Sequence, residues 1–229
     1  RARKTGMDLR SLPLEGAEST DVTDALEVIK YFGRGNLLHA LSSLWHWDGS
    51  GVWMRLDDRE VKKAIHRIAA HNPKLSKNII SSILDILKTE VTIRDSIFDD
   101  QKDMVINCVG GELSLIGGQW QIQPARRESY MTTQLPVLHD ANADAPRFRQ
   151  FLGEIFAGDA DAGDKTRALL EMMGYSLLRS CAFEKFVILI GAGANGKSVL
   201  LKVLTALLGY RNVSAVCPSQ FDNRFQRAH

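Results

Sequence analysis

Apolar residues recur along this chain at helical spacing, then at strand spacing, then at helical spacing again, and that order outlines its architecture. Thr20-Asp-Val-Thr-Asp24 sets short polar side chains, able to cap free N–H groups, ahead of a helix that runs to Phe32 and stops at Gly33. Leu44-Trp-His-Trp47 and Val52-Trp-Met-Arg55, joined by Asp48-Gly-Ser-Gly51, predict a β-hairpin. Asp57 or Asp58 then caps a helix through Ala70, with Val61, Ala64, Ile65 and Ile68 on one face, and Pro73 breaks it. A further helix is predicted from about Ser76 to Lys88, carrying Ile79, Ile80, Ile83, Leu84 and Leu87 at helical spacing.

Beyond Met104 the period shortens. Met104–Val109, Glu112–Ile116 and Gln119–Ile122, separated by Gly110-Gly111 and Gly117-Gly118, predict a small antiparallel meander. The stretch holding Pro124 and Pro136 reads as irregular. Helices are predicted from near Pro146 to Phe156 and from about Lys165 to Arg179, with the loop Gly158–Gly163 between them. Phe186–Ile190 reads as a buried strand, and Val199–Leu208 as a helix ended by Gly209. That helix is apolar on nearly every face, so it is expected to be packed on both sides. Val213–Val216 reads as a second strand and Phe221–Ala228 as the start of another helix. Residues 1–20 carry Arg1, Arg3, Lys4 and Arg10 with little periodicity, and a solvated linker is favoured over a tail touching DNA phosphates.

Between the Phe186–Ile190 run and the following helix lies Gly191-Ala-Gly-Ala-Asn-Gly-Lys-Ser198, a complete G-x-x-x-x-G-K-[ST] phosphate-binding loop in its proper setting. Glycines let the backbone curl so that N–H groups point inward at phosphate oxygens, and the helix amino terminus adds free N–H groups and positive dipole. The pattern assigns Lys197 to the β- and γ-phosphates of ATP and the Ser198 hydroxyl to Mg²⁺. The expected nucleotide-binding set is Gly191, Ala192, Gly193, Ala194, Asn195, Gly196, Lys197, Ser198 and Val199, with Lys197 the catalytic residue and Ser198 the metal ligand.

Bulk properties narrow the classes little. The 229 residues are 45% hydrophobic and 24% charged, ordinary for a water-exposed globular fold, and suffice for one large or two small domains. A net charge of +2 does not by itself announce nucleic acid. Cys108, Cys181 and Cys217 are too few and too widely spaced for a disulfide framework, so a reducing, cytoplasmic compartment is expected. No apolar run is long enough to span a bilayer, so no membrane partner is expected.

Other candidates have plainer readings. Trp45, Trp47, Trp53 and Trp120 resemble base-stacking aromatics, but hairpin and core filling is favoured, with Trp45 and Trp47 on one strand face in a packed cluster. Asp159-Ala-Asp161-Ala-Gly163-Asp164 lacks the sixth-position glycine and the twelfth-position glutamate of a calcium loop, and reads as a polar lead into a helix amino terminus. His66 and His71 read as surface-helix residues without a third ligand. The Arg126-Arg127 pair and Arg147 with Arg149 read as surface arginines before phosphate binders. No serine, cysteine or histidine constellation argues for nucleophilic catalysis.

Several local patterns gain meaning from their order. Trp47-Asp-Gly is followed by Trp53, Val105-Ile-Asn107 by a glycine turn and strand, and Arg127-Glu-Ser-Tyr130 by the approach to Pro136. Ala145-Pro146 leads into Phe148 and Phe151-Leu152, then come Met173-Gly-Tyr175 and Asn195 directly before Gly-Lys-Ser. From about residue 40 onward this series resembles the phage and plasmid primase-helicases and poxvirus-type primases, which carry a superfamily-three helicase domain behind a characteristic amino-terminal domain.

The resemblance implies an α+β amino-terminal domain and helical connector, followed by the first part of a P-loop α/β (AAA+-like) ATPase domain. Its expected boundaries are a linker or tail at 1–20, the amino-terminal domain at 21–137, a helical connector or oligomerisation segment at 138–183 and the start of the helicase domain at 184–229. It implies an ATP-dependent replicative DNA helicase of a phage, plasmid or related mobile element, self-assembling into a ring, in particular a hexamer. Single-stranded DNA or a replication fork would be its partner, with a primase domain upstream in many members. Lys197 carries over as the phosphate-binding lysine, Ser198 as the magnesium ligand, and Gly191, Gly193, Asn195 and Gly196 as loop residues. One departure matters: the only acid after Ser198 is Asp222, in a polar setting. The chain is therefore expected to be truncated within the ATPase domain, binding phosphates without efficient turnover. The alternative is a non-catalytic DNA-binding or assembly module with a vestigial phosphate loop. A small-molecule kinase is disfavoured because the loop comes so late in the chain.

Overall fold

The structure, a computed structural model, describes residues 20–98, 104–191, 193 and 195–217. These residues form two compact units: one from residues up to His46 together with Arg55–Arg94, the other from Trp47–Met54 together with the residues from Asp95 onward.

In the first unit, short polar side chains start each helix. The Thr20 hydroxyl accepts from the Thr23 N–H at 3.2 Å and opens α1 (Asp21–Phe32), which Gly33 ends at φ +92°. Leu37–Ala40 (β1) and Ser43–Trp47 (β2) pair antiparallel, with Trp53–Leu56 (β3) as the third strand of their sheet. An Asp57 carboxylate oxygen accepts from Arg59 N–H at 2.7 Å at the head of α2 (Asp58–Ile68), and Ser76 caps α3 (Lys77–Glu90). The apolar stripes of the three helices converge, so Ala25, Val28, Val61, Ile65, Ile83 and Leu87 form one core with Leu37 and Leu44.

The hairpin predicted at residues 44–55 is present, but β1 was not expected. It meets β2 through a two-residue turn in which Leu41 and Ser42 both take left-handed backbone, at φ +50° and +58°. Such a turn is normally announced by Asn-Gly or Asp-Gly, and here that signal is missing.

In the second unit, Val105–Val109 (β4), Gly111–Ile116 (β5) and Gln119–Gln123 (β6) form the expected antiparallel meander. A fourth strand, Leu135–Leu138 (β7), lies parallel to β4 and completes the order β6-β5-β4-β7. The irregular reading of this stretch is corrected here: Pro136 argued against a strand, yet β7 is an edge, where a missing N–H is tolerated.

Alternation gives this sheet two different faces. Ile106 and Leu113 are register partners on the apolar face, which packs with Cys108, Leu135, Leu177 and Leu208. Burial there pushes the Cys108 thiol above its ordinary pKa, against a smaller opposing effect of the His139 backbone. Asn107 and Glu112 are partners on the polar face. Asn107 donates to the carbonyls of Gly51 and Thr133, each at 2.8 Å. Glu112, at 0% exposure, accepts from the Arg126 N–H and the Ser129 hydroxyl, both at 2.8 Å.

The short turn that Glu112 holds ends at Tyr130, which takes a left-handed φ of +46° and stacks on Trp53 at 5.9 Å. Trp53 donates its indole N–H to the Arg127 carbonyl at 2.8 Å, and Arg179 donates to the carbonyls of Phe98 and Tyr130. Trp47 lies 6.1 Å from Trp53, so core filling holds for these two tryptophans. Trp120 on β6 is half-exposed.

Three helices follow: α4 (Pro146–Ile155), α5 (Ala162–Tyr175) and α6 (Lys197–Leu208), sharing a core of Leu152, Leu169, Met173 and Leu200. Three expectations fail in this region. Phe186–Ile190 forms no ladder with any described strand, and Phe186 and Ile190 are 84% and 87% exposed. A buried parallel strand needs hydrogen-bonding neighbours, and none of the described residues supplies one. Val213–Val216 is likewise not a strand. Helix α6 is not packed on both sides, since Leu200 is buried while Val199 and Leu201 are half-exposed. The helix predicted at Phe221–Ala228 and the basic segment at 1–19 lie outside the described residues. No helix among the described residues is long and apolar enough to cross a membrane.

Two expected outcomes test this packing. Ile83→Ala should cost about 2–5 kcal/mol by urea unfolding; a loss near zero would place Ile83 outside the core. Glu112→Ala should cost about 1–3 kcal/mol by stranding the Arg126 N–H and the Ser129 hydroxyl. It should also change the near-ultraviolet dichroism of the Trp53–Tyr130 stack, and an unaltered spectrum would show that Glu112 does not hold that turn.

Candidate nucleotide-binding site

Gly196 is the N-cap of α6, at φ +80°, and its backbone carbonyl accepts from Leu200 N–H at 2.9 Å. Left-handed backbone favours glycine there, and packing requires it as well. A Cβ on Gly196 would stand 2.6 Å from Ile155 Cγ2 and 3.0 Å from the Phe151 ring, so the loop is seated against α4 without space for a side chain. Gly191 is closely approached by two flexible side chains: a Cβ there would run into the Asn195 amide and stand 3.0 Å from Lys197 Nζ, groups free to move aside.

Lys197, Ser198 and Val199 form the first turn of α6. The Lys197 ammonium folds back over the loop and donates to the Gly191 carbonyl at 3.0 Å and to Asn195 Oδ1 at 2.5 Å. A cation, a hydroxyl and the free N–H groups of a helix start are thus gathered at one place, the donor set that an anionic phosphate requires. Among the predicted residues, Gly191, Gly193, Asn195, Gly196, Lys197, Ser198 and Val199 are described, and Ala192 and Ala194 lie outside the described residues.

The far end of α6 is also held. Asn212 donates to the Leu208 carbonyl at 2.7 Å and to the Gln134 carbonyl at 3.0 Å, and Gly209 abuts Pro136 of β7. The helix therefore runs from the loop to the edge of the four-stranded sheet.

A cavity of about 420 Å³ borders the loop, lined by Phe156, Leu169, Met172, Ile188 and Ile190 together with Asn195 and Lys197. Its polar wall is Lys165, whose ammonium lies 2.7 Å from Asp159 and 2.9 Å from Asp161. Hydrogen bonds that Lys165 donates to Asp159 and Asp161 raise its pKa, and the same contact lowers that of Asp161, so the pair stays charged through neutral pH. Asp161 is the N-cap residue of α5 and Asp164 lies in its first turn, in keeping with the helix-lead reading of this loop.

The sequence reading missed Phe151 and Ile155 as the seat of the loop, although their i, i+4 spacing marks a common helix face. It also missed Asp159 and Lys165 as cavity walls, for which no local pattern exists.

The remaining candidates are occupied otherwise. Arg126, Arg127, Arg147 and Arg149 each lie beside a carboxylate, of Glu112, Glu128, Glu154 and Asp144 respectively. His71 Nδ1 sits 2.9 Å from the Ile68 carbonyl. Among the described residues no group of three or more His, Cys, Asp or Glu could hold a metal ion.

A family model described as D5 N terminal like matches residues 29–157, more than half of the chain, and the chain belongs to that family. The family is associated with primase-helicase proteins of phages and viruses. A search of curated proteins found no match. The matched span holds the Trp53, Asn107, Glu112 and Tyr130 constellation and α4, while the phosphate loop lies beyond it.

Gly196→Ala should lower the thermal midpoint, since left-handed backbone alone costs an alanine about 1–2 kcal/mol and the clash with Ile155 adds to it. Ile155→Ala in the same chain should recover the steric share only. Parental stability in the single variant would show that the loop is not seated on α4.

Proposed function

We propose that this chain is the ATP-binding part of a replicative DNA helicase of the primase-helicase type, from a phage, plasmid or related mobile element. In the assembled protein ATP hydrolysis would be coupled to DNA unwinding. The observation that carries the reading is the loop itself: Lys197 poised over Gly191 and Asn195 at the start of α6, on a backbone whose left-handed turn at Gly196 favours glycine. Membership of a family associated with primase-helicases supplies the context.

The donor set fits a magnesium nucleotide. Gly191, Gly193, Asn195, Gly196 and Val199 would present the loop and helix backbone to the phosphates, and Lys197 would neutralise the β- and γ-oxygens. The Ser198 hydroxyl would ligate Mg²⁺, which would supply positive charge against that developing on the phosphates. The adjoining cavity, with Phe156, Met172 and Ile188 on its walls, is large enough for a nucleoside. The partners in this reading are single-stranded DNA or a replication fork, and further copies of the chain in a ring, in particular a hexamer.

One observation favours a second reading. Phe186–Ile190 has no strand partner among the described residues, as expected of a non-catalytic module carrying a vestigial loop.

Titration with a fluorescent ATP analogue separates the two. Magnesium-dependent binding should be lost on the order of tenfold or more in Lys197→Ala, a loss of about 1.4 kcal/mol or more. Indistinguishable titrations of parent and variant would sink the ATP-site reading and leave the module.

A further inference from the structure

The geometry points to the groove between α2 and α3 as a seat for single-stranded DNA, gripped through its phosphodiester backbone. The inference rests on the charge and shape of the first unit and on the family's replication context. It does not depend on the ATP site.

The groove has a volume of about 560 Å³ and is lined by Arg59, Lys62, Lys63 and His66 from α2 and by Lys77 from α3, with Leu75 and Ile80 as its apolar part. The α2 residues stand at i, i+3, i+4 and i+7, so they form one stripe, on the face opposite buried Val61, Ala64 and Ile65. Arg59, Lys62, Lys63 and Lys77 are all exposed.

Three features separate this stripe from ordinary surface charge. First, eight of the other basic side chains, Lys30, Lys88, Arg126, Arg127, Arg147, Arg149, Lys165 and Arg167, lie beside a carboxylate. None of Arg59, Lys62, Lys63 or Lys77 is paired with a carboxylate of another described residue. Second, like charges at i, i+3 and i+4 repel, so the stripe works against the helix that carries it. Third, Ser76 caps α3 at this groove, adding the positive end of a 14-residue helix to the same field.

An open, cationic groove with an apolar floor admits a flexible strand, whose phosphates reach the cations while sugars and bases meet Leu75 and Ile80. A duplex keeps its bases stacked away from Leu75 and Ile80. Since no Phe, Tyr or Trp lines the groove, binding there should tolerate any base sequence and weaken steeply with salt.

The test is fluorescence anisotropy of a labelled oligothymidylate with the full chain over a salt series. Lys62→Glu with Lys63→Glu should weaken binding at least tenfold at low salt. It should also flatten the salt dependence by about 1.4, since each single-strand phosphate contact contributes about 0.7 to the slope. Lys30→Glu, at a cation paired elsewhere, serves as the charge control and should change affinity less than about twofold. Circular-dichroism melts confirm that the exposed substitutions leave the fold intact. Equal binding by parent and double variant overturns the proposal, as does an equal loss in the control. Stronger binding of duplex DNA, of oligouridylate, or of phosphatidylserine vesicles than of the oligothymidylate also overturns it. The double variant should keep the ATP titration of the parent, so failure of the nucleotide site and failure of this groove are read separately.

Discussion

A carboxylate taken wholly out of water carries a desolvation penalty of several kcal/mol unless its oxygens are hydrogen-bonded. Glu112, with none of its surface exposed, meets that condition by drawing in the Arg126 N–H and the Ser129 hydroxyl. The neighbouring chain then has little freedom. It must turn at Arg127–Ser129, offer the Arg127 carbonyl to the Trp53 indole and leave Tyr130 stacked on that ring. Asn107, the register partner of Glu112, ties the carbonyls of Gly51 and Thr133 to the same sheet face. Patterns far apart in the chain are thus one polar-pinned assembly.

Much of this was legible from residues whose reasons are local. Thr20, Asp57 and Ser76 cap the helices they were expected to open, and the paired glycines at 110–111 and 117–118 turn the meander. What escaped depended on partners. Strand β1 hides behind Leu41 and Ser42, residues that seldom take left-handed backbone, and β7 hides behind Pro136. The opposite error occurred at Phe186–Ile190, where a run of apolar β-formers was read as a strand. Apolar composition permits a ladder, but only a neighbouring strand makes one.

The candidate site divides the same way. Its loop residues were readable because glycine spacing, a lysine and a hydroxyl state their own chemistry. The surroundings were not readable, because Phe151, Ile155, Asp159 and Lys165 reach the loop through tertiary packing alone. The cationic stripe on α2 was visible as letters but not as a groove, since Lys77 and Ile80 come from the next helix. Net charge concealed it too: near-balance over the whole chain is compatible with a strongly uneven distribution over one face.

Helix α6 has no slack at either end. Its amino terminus is wedged at Gly196 against Phe151 and Ile155, and its carboxyl terminus is tied at Gly209 and Asn212 to Pro136 and Gln134. Twelve residues make a rod about 18 Å long, stiff on that scale. In mechanical terms the helix is a strut: a displacement of the phosphate loop cannot be absorbed along it. The motion must emerge either as sliding against α4 or as a push on the parallel edge of the sheet, far from where it began.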